Sequence, residues 1–80
     1  MDTVISTNKQ GLGDLLRYWR ESCHKSQLNL SLDSGLSQRH LSFIENGRSI
    51  PSRRTLLEIA RTLEIPFRDR NTLLLSAGLQ

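Results

Sequence analysis

An 80-residue chain has room for one small domain, and with 36% hydrophobic residues, leucine foremost, it can build one modest core. No apolar run nears the ~18–20 residues of a membrane span, and Met-Asp-Thr-Val-Ile-Ser-Thr-Asn-Lys at the start has too short an apolar stretch for a signal peptide. The formal charge of +3 lies wholly within residues 37–54, where Arg39, Arg48, Arg53 and Arg54 stand against Glu45 alone, while residues 1–36 and 55–80 each balance to zero. Cys23 by itself can form no internal disulfide, and with only His24 and His40 beside it no metal site is expected. A cytoplasmic chain without cofactor or metal and with no membrane partner follows from these features.

Residues 1–10 carry no apolar period and are expected to be mobile, leaving 11–80 as the folded domain. Leu12, Leu15, Leu16, Trp19 and Cys23 recur at helical spacing and predict a first helix from about Gly11 to His24. Trp19 is expected in its core, Cys23 as a small buried hydrophobe, and His24 as the residue that closes it. Ser26 is the expected N-cap of a short second helix that stops before Gly35. Leu28, Leu30 and Leu32 alternate there as in a strand, but the cap and the terminating glycine favour a helix. Ser37 then caps a third helix running to about Asn46, ended by Gly47 in a left-handed conformation. Ile50-Pro51-Ser52 breaks the chain, and Ser52 caps a fourth helix with Leu56, Leu57, Ile59, Ala60 and Leu63 as its buried stripe. Pro66 separates off a last helix from about Phe67 to Ala77, closed by Gly78. Five short helices with short connections make a compact all-α domain.

Residues 27–46 have what a helix-turn-helix demands. The sharp turn needs a residue tolerant of positive φ, and Gly35 supplies it. The close approach of two helices needs a small residue on the first, which is Ser31; its hydroxyl requires a partner, expected in a carbonyl one turn back. Leu36 anchors the turn, and Leu41 with Ile44 forms the inner face of the third helix. The outer face is then Gln38, Arg39, Ser42 and Phe43, and an aromatic on a polar outer face calls for a partner.

These residues, together with Leu16-Arg17-Tyr18-Trp19-Arg20, Ser26-Gln27, Ser37 to Arg48 and Pro51-Ser52, resemble the phage Cro/repressor-type (Xre-like) helix-turn-helix family over residues 11–66. The resemblance implies a five-helix, lambda-repressor-like bacterial DNA-binding domain, with the third helix in the major groove and the second across the backbone. It also implies a partly buried ion pair between Arg20 and Glu45, and a homodimer on double-stranded DNA. Ser31 departs from the alanine usual in the family. The stretch from Pro66 to Gly78 is similar to larger bacterial regulators, which implies a C-terminal ligand-sensing domain in a longer parent chain.

Under this reading Gln38, Arg39, Ser42 and Phe43 read base edges. Arg39 forks onto guanine, Gln38 onto adenine, and Phe43 rests on a thymine methyl or packs sideways. Gln27, Asn46, Arg48, Arg53 and Arg54 hold phosphates, Gln27 from the positive end of the second helix. His40, on the side of the third helix, is expected to pack or to donate to a phosphate. The competing reading is a protein-interaction module, antitoxin-like or adaptor-like, on the same scaffold. Such a face would be more apolar and less rich in arginine across 38–54. An enzyme is not expected, since the sequence has no nucleophile–base spacing and no phosphate loop. Leu73, Leu74, Leu75 and Leu79 are more apolar surface than one short helix needs, and are open to a dimer contact, to the first helix or to a further domain.

Overall fold

The computed structural model describes residues 11–79; the expectation of a mobile segment over 1–10 lies outside the described residues. Among the described residues five α-helices follow one another: α1 (Leu12–Ser22), α2 (Gln27–Ser34), α3 (Gln38–Glu45), α4 (Arg53–Thr62) and α5 (Phe67–Ser76). Among the described residues there is no strand, and no helix is long and apolar enough to cross a membrane. The all-α, five-helix expectation holds.

Serine sets three of the helix starts. Ser26, Ser37 and Ser52 sit in extended conformations, and each hydroxyl accepts from the backbone N–H three residues on, at Asn29, His40 and Thr55. Each satisfies one of the N–H groups that a helix start otherwise leaves without a partner. The ends are set by left-handed residues. Gly35 and Gly47 turn the chain after α2 and α3, as a positive φ there requires. After α1 and α4 the same turn falls to His24 (φ 58) and Glu64 (φ 56), which have a side chain to accommodate. At each of these two ends an arginine binds the carbonyl of the following residue. Arg20 donates to the Lys25 carbonyl and Arg70 to the Ile65 carbonyl. His24 thus closes the first helix as expected, by its backbone.

α1 and α2 both pack against α3, and α4 and α5 close the other side, α4 onto α2 and α5 onto α1. The core is Leu12 and Leu16 from α1, Leu30 from α2, Leu41 and Ile44 from α3, Leu56, Ile59 and Ala60 from α4, Leu63 and Ile65 from the α4–α5 turn, and Leu73 and Leu74 from α5. Leu15, Trp19, Leu36 and Leu57 are half-buried against it.

Three expectations need correction. Cys23 is exposed, its thiol 3.5 Å from the Leu63 carbonyl, because it lies at the end of α1 where the helical stripe has left the core. Leu57, expected in the buried stripe of α4, is half-buried at its edge, and in α2 Leu30 alone of the three leucines is buried. The Ser31 hydroxyl donates forward across the turn, to the Leu36 carbonyl at 2.5 Å, and so ties the two helices of the motif together. The tail leucines are mostly used within the domain. Leu73 and Leu74 are buried, Leu79 packs against the core, and Leu75 is exposed.

Candidate nucleic-acid interface

α3 turns Leu41, Ile44 and Glu45 inward, which leaves Arg39, Ser42, Phe43 and Asn46 on the opposite face. Gln38 and Arg39, in the first turn, are exposed, as is Asn46 at the end. Ser42 is half-buried, and Phe43 keeps 36% of its surface exposed. The Arg39 guanidinium lies over the Phe43 ring, 5.4 Å from its centroid, within the reach of a cation–π contact. The aromatic therefore holds the first long cation of the helix. Asn46 makes a long 3.4 Å hydrogen bond to the Ser42 hydroxyl.

Behind this face Glu45 is 5% exposed and is the one charged residue in the buried set. Arg20 reaches it with two N–H groups, Nε to Oε2 at 2.7 Å and Nη2 to Oε1 at 3.0 Å. This is the bidentate geometry in which arginine pairs best with a carboxylate. Gln27 donates to Oε1 at 3.1 Å, and Arg17 Nε lies 3.6 Å from the same oxygen. Burial pushes the Glu45 carboxyl up, but the hydrogen bonds from Arg20 and Gln27, with the charges of Arg20 and Arg17, outweigh it and hold the group below the usual carboxylate range. Arg20, hydrogen-bonded to Glu45 against the opposing effect of burial, is raised. Among the described residues no buried side-chain polar atom lacks a partner.

Two of these partners differ from the sequence reading. Gln27, expected at a phosphate, turns its amide inward to Glu45. An amide carries two N–H donors, so one remains, along with the backbone N–H groups at the α2 start. Arg17, which the sequence reading leaves without a role, joins the network; its place three residues before Arg20 on the same helix face is the signal for it.

The remaining basic residues separate into two groups. Arg48 follows α3 and Arg53 opens α4, both exposed. Arg54 instead lines the groove between α4 and α5, to which no α3 residue contributes. The structure thus brings Arg39, Ser42, Phe43 and Asn46 onto one face, leaves Gln38 exposed at the helix start on the side of Leu41 and Glu45, and puts Arg54 in different company.

The helix-turn-helix family HTH_3 matches residues 16–69, and the chain belongs to this family. An uncharacterized HTH-type transcriptional regulator, y4dL, of Sinorhizobium fredii (strain NBRC 101917 / NGR234) is 44% identical over 50 residues, which are 62% of this chain and 26% of that protein. The ImmF control region 10 kDa protein of Bacillus phage phi105 is 43% identical over 49 residues, 61% of this chain and 54% of that one. The matched part therefore spans about a quarter and about half of these relatives' lengths. No solved structure matches the chain significantly.

Proposed function

We propose that the chain is a sequence-specific, double-stranded DNA-binding domain of a transcriptional regulator, with α3 in the major groove. The observation that carries this is the outer face of α3, exposed and polar, with Arg39 braced on Phe43 and a serine-tied turn holding the helix against α2. Membership of the family and the relatives' descriptions as an HTH-type transcriptional regulator and an ImmF control region protein support it. Gln38, Arg39, Ser42 and Phe43 read base edges in this reading. Asn46, Arg48 and Arg53, with the N-terminus of α2 at Gln27, lie along phosphates. Two copies on an inverted repeat, a C-terminal ligand-sensing domain in a longer parent chain, a cytoplasmic setting and the absence of catalysis complete the reading. The pairing rests on the family resemblance, because most of the tail leucines pack inside the domain.

Selection of bound sites from random duplex DNA, followed by a salt titration on the selected site, tests the proposal. Log K is expected to fall linearly with log salt, at about −0.9 per phosphate neutralised. Arg53→Ala should weaken all sequences alike and flatten that slope. Affinity indifferent to salt between about 50 and 200 mM would overturn the DNA reading.

Reading and holding are separable at Arg39. A bidentate arginine–guanine pair discriminates by about 1–3 kcal/mol, so Arg39→Ala should relax preference at one base pair of each half-site and leave the others. Phe43→Leu should blur preference at that same base pair, because it removes the ring on which the guanidinium rests. Site selection with each variant is the measurement; a profile weaker everywhere but unchanged in shape would make Arg39 a phosphate contact.

A further inference from the structure

Charges that balance along the sequence do not balance in space. The groove between α4 and α5, about 730 Å³, has Leu57 and Leu74 among its apolar lining residues, with Phe67 beside them. Around it stand Arg54, Arg61, Arg68 and Arg70, with Glu58 as the one carboxylate. Glu58 pairs with Arg61, so three cations are left over. Glu64 and Asp69, which offset these arginines in the sequence, do not line the groove; Asp69 lies with Tyr18 and Trp19 in a depression between α1 and α5.

The groove is also prepared for a ligand. Phe67 is 81% exposed as a residue, an unusual condition for a large aromatic beside an apolar surface. Arg70 is fixed over it, 4.6 Å from the ring centroid, while its Nε donates to the Ile65 carbonyl at 2.7 Å. That arginine retains further N–H groups for an incoming acceptor and has little left to lose in side-chain freedom.

We propose that the α4–α5 groove docks an acidic amphipathic helix of a partner protein, its apolar face on Leu57, Leu74 and Phe67 and its carboxylates on Arg54, Arg68 and Arg70. The complementarity is of charge and of shape. Two helices of 10 residues rise about 15 Å, which fits two to three turns of a docked helix along them. A second copy across a two-fold axis would set these arginines against their own equivalents. A DNA duplex would bring phosphates to the arginines but would leave Phe67 and the leucines against charge. The groove shares no lining residue with α3, so the proposal stands apart from the DNA reading and can fail without it.

The test is a display library of helical peptides of about twelve residues, randomised on one face and selected on the whole 80-residue chain. Peptides with Asp or Glu beside Leu, Phe or Trp at i, i+4 spacing should be enriched. An enriched peptide, synthesised and measured by fluorescence anisotropy, should lose about tenfold or more in affinity on Arg68→Glu and on Phe67→Ser. Its NMR shift changes should map to α4 and α5. Both replaced residues are exposed and outside the DNA-facing set, so DNA affinity should stay as it is in both variants, and the melting temperature should stay as it is in Arg68→Glu. The proposal is overturned by an empty selection, by enrichment of basic or uncharged peptides, or by binding indifferent to Arg68→Glu. Shifts confined to α3 overturn it too. So does a concentration-dependent shift of the α4–α5 resonances without peptide, which would make the occupant a second copy.

Discussion

Glu45→Ala is expected to destabilise the domain by about 3–5 kcal/mol, a large share of the 5–15 kcal/mol that holds a typical small domain together. Removing the carboxylate leaves the Arg20 guanidinium, only 11% exposed at its side chain, with a buried charge and no counter-ion. It also frees Gln27 at the start of α2. Thermal melts of the variant should show the loss directly, and base preference in site selection should change little. An unchanged melting temperature would mean that the pair contributes no more than a surface one.

The same network makes stability depend on pH with a defined sign. The carboxyl is held below its ordinary value, so the folded chain takes up the Glu45 proton less readily than the unfolded chain. Its contribution is therefore complete above the unfolded value of about 4.3 and disappears as pH falls through the folded value. Urea melts across that acid range should show the loss in the wild type. In Glu45→Gln the part due to this group should be absent.

Gly13→Ala is the second large effect, and its sign runs against propensity. Within a helix, glycine to alanine ordinarily stabilises by about 0.5–1 kcal/mol. A Cβ on Gly13 would stand 2.2 Å from the Glu45 carbonyl oxygen, 2.7 Å from its carbon and 2.9 Å from the Ile44 oxygen. All three are backbone atoms, which cannot rotate away, so α1 must lift from the end of α3. Overpacking of this kind costs about 1–3 kcal/mol and occasionally more. The melting temperature of Gly13→Ala should fall, by about 4–8 °C for each kcal/mol in a domain of this size. DNA affinity should fall with it, because the displaced backbone carries Glu45. A rise in melting temperature would show that the helices separate without strain. Gly11, two residues earlier, has nothing within 4 Å of its Cβ position, so the constraint belongs to Gly13 alone of the two.

What the sequence revealed follows from how local each cause is. Helix positions were legible because a 3.6-residue period and a serine cap are properties of adjacent residues; Ser26, Ser37 and Ser52 act as read. The outer face of α3 was legible for the same reason, since Leu41 and Ile44 fix the inner one. Cys23 continues the apolar period of α1 but lies one step past the helix, at the residue where the chain already turns, and so is exposed. The alternation of Leu28, Leu30 and Leu32 does not say which of them faces the core, and burial in α2 selects Leu30 alone. The close approach at Gly13 and the inward turn of Gln27 join segments far apart in the chain, and the arginine-lined groove depends on how two consecutive helices pack. A charge count along the sequence could not find the last of these, because Arg54 meets Arg61, Arg68 and Arg70 only after α4 and α5 have packed.

Arg20 and Arg70 each hold a left-handed turn shut from outside while serving a second partner, Glu45 for one and the Phe67 ring for the other. A lysine offers one nitrogen on a flexible stem and cannot span both partners with the planar fork that arginine has. Both positions are therefore expected to accept lysine poorly. A change that keeps the charge still releases either the turn or the second contact. His24 and Glu64, by contrast, are open to replacement by glycine, which adopts their backbone angles with no side chain to accommodate. At these turns the tolerance to substitution is therefore set by how many partners a side chain serves, with Arg20 and Arg70 half-buried and yet each tied to two.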